Sequence, residues 1–373
     1  MSDYLPTLDG WRAVAIGGVI VCHAVAAIVG AGGSHPNARL YGLSSYFALG
    51  VDLFFAISGF LICTRLLQEE QSRGRISLKD FYVRRAFRIL PPYALYLTSV
   101  AIISGLGLFV LHGQDLLGCA FFFRNYIVGS WYTTHFWSLA VEEHFYLLWP
   151  GLLFLFGSKR SRILVVVMAV SVAVWRAVEF RHGFISHQLP GTSFFLRTDI
   201  RLDALLWGCW MALVFHQPLW RERLNRWISP PVWFGLAVLY LVCVAVKPRF
   251  SMMWQSMIIP LLLAGTVLHP GWRLGRLLES WPMLWIGRIS YGLYLWQQLF
   301  LVPGPAIVPS PLGHLQRLPL NIVAAFACAS LSYYLLERRM IRTGRRLTLS
   351  PNLAADDLTE ASTQASSASC AGM

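Results

Sequence analysis

The sequence is short of charge. Asp, Glu, Lys and Arg make up 13 % of its 373 residues, where a soluble globular chain carries about a quarter. So few ionised groups leave a polytopic membrane protein as the class to expect. Acid is scarcer than base: 18 Asp and Glu stand against 31 Lys and Arg, a formal net charge of +13. In an apolar chain this imbalance reads as basic cytoplasmic loops facing anionic lipid. No basic groove with interleaved aromatics is present, so nucleic acid is not an expected partner. The seven cysteines form no CxxC pair and no Cys/His cluster. That pattern argues against a zinc site and a disulfide framework and leaves them as small core side chains. No metal site is expected. There is no P-loop, no GxGxxG fingerprint and no GxSxG elbow, which removes the usual nucleotide folds and the α/β-hydrolases. The first apolar run lacks the basic flank and small-residue cleavage site of a secretory signal. It is expected to stay as a helix.

What the chain has in excess is apolar surface, 56 % of its residues. It falls into runs near 11–31, 46–68, 91–111, 136–156, 163–181, 202–216, 231–247, 251–268, 282–302 and 317–337. A crossing needs about 17 such residues or more, so the expected fold is an all-α bundle of about ten transmembrane helices, the sixth and eighth being the shortest. The stretch 115–130 is apolar but short and ends in polar residues, which suits a re-entrant or interfacial piece. Placing both termini in the cytoplasm puts the basic clusters of 73–88, 159–162, 221–226, 273–276 and 338–346 inside, as the positive-inside rule requires. An eleventh crossing at 115–130 would turn the later clusters outward. Residues 1–346 then form one membrane domain. Residues 347–373, rich in Ser, Ala, Thr and Asp, cannot bury a core and are expected to be a disordered tail.

Ionisable groups within a bilayer cost several kcal/mol unless they face a cavity or a partner, so each one inside an apolar run is a candidate. His23 lies eleven steps from Arg12 in LDGWRAVAIGGVIVCH, roughly 16 Å along a helix and about half the depth of the hydrocarbon. Imidazole suits proton transfer near neutral pH. It also serves as a packing group bonded to a neighbouring helix. Asp52, in LGVDLFFAISGF, shares a helical stripe with Phe55, Ala56 and Gly59. Those small residues admit another helix closely, and the carboxylate needs a partner, His23 or an arginine. Glu142 and Glu143, in FWSLAVEEHFYLLWP, point about 100° apart. One can do acid–base work while the other pairs with an arginine. In RGRISLKDFYVRRAFRIL, Arg85 and Arg88 share one face at a helix start, with Arg84 beside them, a receptor for phosphate. Arg201 and Asp203 sit at the outer mouth of the sixth run, placed to bind a polar acceptor or to pair with each other. Tyr291, between Ser290 and Tyr294, offers a supporting hydroxyl. His and carboxylates in this pattern point to acid–base or nucleophilic chemistry on a phosphorylated second substrate. The same groups make proton relays in transporters and flippases, the competing class. Transporters repeat their broken helices in both halves, whereas here the candidates gather in the first half.

Read in order, these stretches resemble the membrane-bound acyltransferase family 3, the bacterial sugar and cell-envelope O-acyltransferases, over about residues 5–340. LDGWRAVAIGGVIVCH looks like the family's LDGxRAxA opening with its Arg/Lys-x10-His spacing at Arg12 and His23. GVDLFFAISGFLI looks like its second-helix signature, and FYVRRAFRILPPY carries its RxxR at Arg85 and Arg88. FWSLAVEEHFYLLWP is similar to WSLxVEExFYLxxP. RLDALLWG, ISYGLYLW and Glu337-Arg338 match later motifs. The chain departs from the pattern at His144, where Gln is frequent, at Gln297, where His is frequent, and at Arg339, where Pro is usual. The resemblance implies transfer of an acyl group, usually acetyl, from cytoplasmic acyl-CoA as a donor substrate rather than a bound cofactor. The implied acceptor is a carbohydrate or glycolipid hydroxyl of a surface polysaccharide, lipopolysaccharide or exported glycan, in the bacterial cytoplasmic membrane. Some members acylate macrolides or other small molecules. It implies His23 as base or transient acyl carrier, oriented by Asp52 or Glu142. Arg12, Arg84, Arg85 and Arg88 would hold the donor, and Glu143, Arg201, Asp203 and Tyr291 would support the acceptor. No hydrolase-type domain follows, so a stand-alone form in contact with membrane lipids is expected, its oligomeric state left open.

Overall fold

The computed structural model describes residues 4–31, 49–246, 250–303, 307–308 and 311–348. Helices dominate, and no strand occurs among the described residues. The longer helices are α1 (Pro6–Ala31), α2 (Gly50–Arg73), α3 (Leu78–Gly105), α4 (Gly113–Ala120), α5 (Phe136–His182), α6 (Asp203–Phe215), α7 (Pro230–Val246), α8 (Ser251–Leu268), α9 (Trp281–Phe300), α10 (Leu320–Ser332) and α11 (Arg338–Thr348). Every one of the ten expected runs coincides with a helix among the described residues. The expected tail, apart from its first two residues, lies outside them.

Length and composition alone pick out fewer crossings than ten. Six helices are long and apolar enough, and a seventh span appears if α7 is joined to the helix Pro218–Trp227, bent from it by 82°. The difference has local causes. Two expected spans, 136–156 and 163–181, lie in the single helical run α5, which breaks only at Gly157. The φ of 66° there belongs to the left-handed region that glycine adopts without penalty. α6 is apolar after Asp203 but has 13 residues, about 20 Å against a hydrocarbon core of about 30 Å. The 115–130 stretch forms the eight-residue α4 and a 3-10 turn at Arg124–Tyr126, too short to cross.

Close helix approach shapes the bundle around the site. α2 lies against α6, and a Cβ on Gly59 would meet the Leu205 carbonyl oxygen at 2.0 Å. Gly208 answers it, since a Cβ there would come within 2.3 Å of the Ala56 oxygen. The small-residue stripe of α2 therefore does face a partner helix, with Phe55 and Ala56 fully buried beside it. α1 approaches α9 in the same manner, Gly287 resting on the Asp9 backbone. α11 lies along α3 through buried Gly344, which sits on Phe87 and the Arg84 backbone.

Candidate active site

A cleft opens between α1, α2, α3, α5 and α9. It holds a cavity of about 80 Å³ that opens into a wider mouth. Arg12, Arg85 and Arg88 line it from α1 and α3, Ser58 from α2, Ser138 and Glu142 from α5, and Tyr291 and Tyr294 from α9. Five sequence-predicted residues, spread over 280 positions, thus share one cavity.

Four of the five are held by a nameable contact. Arg12 bonds Asp9 one turn back, at 2.9 Å. The Arg85 guanidinium stacks over the Tyr146 ring, 3.6 Å from its centroid. One of its nitrogens is 4.0 Å from a Glu142 carboxylate oxygen. The other Glu142 oxygen accepts from the Ser58 hydroxyl at 2.8 Å. The structure separates the adjacent glutamates: Glu142 lines the cleft, while Glu143 is turned toward Tyr93 and Tyr291. The Tyr291 hydroxyl donates to the Ile89 carbonyl at 3.1 Å. Arg84 does not line the cleft. It is bound to Glu69 at 2.8 Å.

His23 lies one turn of α9 beyond the cleft wall. Its Nδ1 is 2.7 Å from Gln297 Oε1, and its ring meets Trp131 edge-on with centroids 5.3 Å apart. The surrounding bonds decide the tautomer. Gln298 Nε2 donates to the Trp131 carbonyl, so Gln298 Oε1 faces Gln297 as an acceptor. Gln297 Nε2 donates to that oxygen and to the Tyr294 carbonyl. Gln297 Oε1 is then the end facing His23, and Nδ1 must carry the proton. Nε2 keeps its lone pair and has no hydrogen-bond partner among the described residues. In the cleft lining Ser138 and Tyr294 form a hydroxyl pair with oxygens 2.5 Å apart, and Tyr294 precedes Gln297 by one turn of α9.

The carboxylate expected to orient His23 is elsewhere. Asp52 forms an ion pair with Arg201 at 2.5 Å, and Glu142 belongs to Ser58 and Arg85. A neutral amide from α9 takes the orienting position instead. Arg201 and Asp203 do not pair with each other, since Asp203 binds Arg176 at 2.5 Å. These two ion pairs tie α6 and the short helix before it to α2 and α5. Beyond them, fully buried Arg197 binds Glu179 and Asp199. Burial alone would lower the Arg197 pKa, but these hydrogen-bonded carboxylates outweigh it and raise it.

Sequence reasoning passed over Gln297 as a partner, having marked it only as a departure from the family pattern. It also passed over His135. That side chain is buried with both ring nitrogens unpartnered, packed on Tyr96, Phe136 and Tyr294. A single histidine ahead of FWSL gave no periodic signal that could have found it.

A multi-helical membrane protein with a cationic cleft leading to a buried histidine is the class that fold and site define. The family model described as "Acyltransferase domain" (Acyl_transf_3) matches residues 5–337, and the chain belongs to that family. It is similar to the peptidoglycan O-acetyltransferase OatA of Listeria monocytogenes, 28 % identical over 91 % of this chain and 56 % of the relative. The putative peptidoglycan O-acetyltransferase YrhL of Bacillus subtilis is 28 % identical over 92 % of the chain and 56 % of the relative. An O-acetyltransferase OatA of Staphylococcus aureus is 29 % identical over 80 % and 51 %. The chain spans about half the length of these relatives. No solved structure matches it.

Proposed function

We propose that the chain is an O-acetyltransferase of the bacterial cytoplasmic membrane, moving an acetyl group from cytoplasmic acyl-CoA to a sugar hydroxyl of a cell-envelope glycan. The observation that carries this reading is the cleft itself. Three arginines suited to phosphate stand at one end, and an imidazole with a free Nε2 lies one helical turn past the other. The relatives named as peptidoglycan O-acetyltransferases support a glycan acceptor.

In this reading Arg85 and Arg88 bind donor phosphate bidentately, and the acyl end reaches inward past Glu142 toward Ser138 and Tyr294. His23 Nε2 takes the proton of the acceptor hydroxyl as its oxygen attacks the thioester carbonyl. The C–S bond breaks, and the thiolate leaves with the proton from the imidazolium. Gln297 holds Nδ1–H throughout, so the ring neither flips nor changes tautomer. A proton-relay transporter would use the same ionisable groups, but the arginine mouth and the family membership favour acyl transfer.

The test is purified protein in nanodiscs with radiolabelled acetyl-CoA and a soluble glycan acceptor. The expected result is labelled product from the wild type. His23→Ala, with unchanged melting behaviour, loses activity on the order of a hundredfold or more. Activity near the wild-type level in His23→Ala removes His23 from the chemistry.

A further inference from the structure

Two arginines outside the sequence motifs stand at the mouth of the cleft. Arg65 lies seven residues past cleft-lining Ser58 on α2, two turns and about 10 Å along the same face. Its side chain is exposed on the surface of a helix long and apolar enough to span. The guanidiniums of Arg12, Arg84, Arg85 and Arg345 lie within electrostatic range of it, and so does that of Arg88. Arg345 is brought there by the seating of Gly344 on α3. Arg12, Arg85 and Arg88 line the cleft, and Arg65, Arg84 and Arg345 from α2, α3 and α11 lie within electrostatic range of one another or of that trio.

Their charges are not equally answered. Arg12 is tied to Asp9 and Arg84 to Glu69. Arg85 has Glu142 at 4.0 Å. The side chains of Arg65 and Arg345 have neither a carboxylate nor a hydrogen-bond partner among the described residues. Like charges held this close repel unless an anion enters.

Depth assigns that anion. Acyl-CoA carries phosphate at two places, the pyrophosphate next to the pantetheine arm and the ribose 3′-phosphate farther from the thioester. Arg85 and Arg88 line the cleft wall, whereas Arg65 and Arg345 stand outside the lining, toward the loop end of α2. We propose that Arg65 and Arg345 form the subsite for the ribose 3′-phosphate of the acyl-CoA donor, leaving Arg85 and Arg88 to the pyrophosphate. This rests on acyl-CoA being the donor, as proposed above.

Equilibrium binding of CoA and of dephospho-CoA, which lacks the 3′-phosphate, to the full chain in phosphatidylcholine nanodiscs tests it. Wild type is expected to bind CoA about tenfold more tightly than dephospho-CoA, the worth of one charged hydrogen-bonded contact. Arg65→Gln and Arg345→Gln each bring CoA toward the dephospho-CoA affinity and leave dephospho-CoA unchanged. Arg88→Gln weakens both ligands. Arg345 is on an exposed helix, so its variant tests the subsite without disturbing the packing of α2. Equal affinities for the two ligands in wild type, or equal losses for both in Arg65→Gln, overturn the subsite while leaving the donor reading intact. Failure of wild type to bind CoA at all withdraws the donor reading itself. The same titration with phosphatidylglycerol in the disc separates a lipid source. Should CoA and dephospho-CoA bind alike and the lipid compete only when Arg65 is present, the pair holds a lipid headgroup and the proposal falls.

Discussion

The residue that faces His23 Nδ1 is an amide. A carboxylate beside an imidazole raises its basicity, whereas Gln297 only fixes the tautomer and the ring plane. Both amide orientations follow from a chain of bonds ending on the Trp131 carbonyl. Gln297→Leu is therefore expected to lower kcat on the order of tenfold or more without changing KM for acyl-CoA. Gln297→Glu, whose carboxylate still accepts from Nδ1–H but sets its other oxygen against the Tyr294 carbonyl and Gln298 Oε1, is expected to restore only part of the rate. Steady-state kinetics of the two variants check this, and a shared loss in both would assign Gln297 to packing alone. The sequence could set His23 eleven residues along α1 from Arg12, because rise per residue is fixed. It could not place Gln297 beside it, because contact across 274 positions depends on how α1 rotates against α9.

At the scale of elements, the site depends on helices that touch backbone to backbone. Gly59 and Gly208 are the reason Asp52 and Arg201 can meet, since any side chain there pushes α2 from α6. Gly59→Leu is expected to cost about 1–3 kcal/mol or more and to lower the thermal midpoint clearly. Gly17→Ala, with no atom within 4 Å of the new Cβ, is expected to leave it unchanged. Thermal denaturation in detergent compares them directly. The close-packing stripe on α2 was legible from its 3-4-7 spacing. Its partner was not, and the pairing of Arg201 with Asp52 instead of Asp203 follows from that helix contact rather than from sequence proximity.

For the whole molecule, the proposed donor demands one orientation. The arginine mouth, the 73–88 loop and α11 lie at one end of the bundle, so an acyl-CoA donor entering there requires that end to face the cytoplasm. An impermeant maleimide applied to intact cells is expected to label His187→Cys above the parent background, and to label Arg75→Cys only after the membrane is opened. The reverse pattern would put the mouth outside and exclude a cytoplasmic donor. The same pair of probes tests the crossings between those positions, since the two helices that meet at the Gly157 kink of α5 count as one span by length and hydropathy.

The sequence by itself determined the class, the helices and the family resemblance. These rest on composition, on helical period and on short ordered motifs, all of them local properties of the chain. It also named the charged residues that a bilayer makes expensive, and five of those share the cleft. Which groups face each other was decided by the tertiary structure alone. Helix rotation turned Glu142 rather than Glu143 into the cavity and gave His23 an amide in place of a carboxylate. It also spent Asp52 and Asp203 on arginines and gathered Arg65 and Arg345 at the mouth. A side chain's azimuth about its helix is set by packing against helices hundreds of residues away, and no local pattern encodes it.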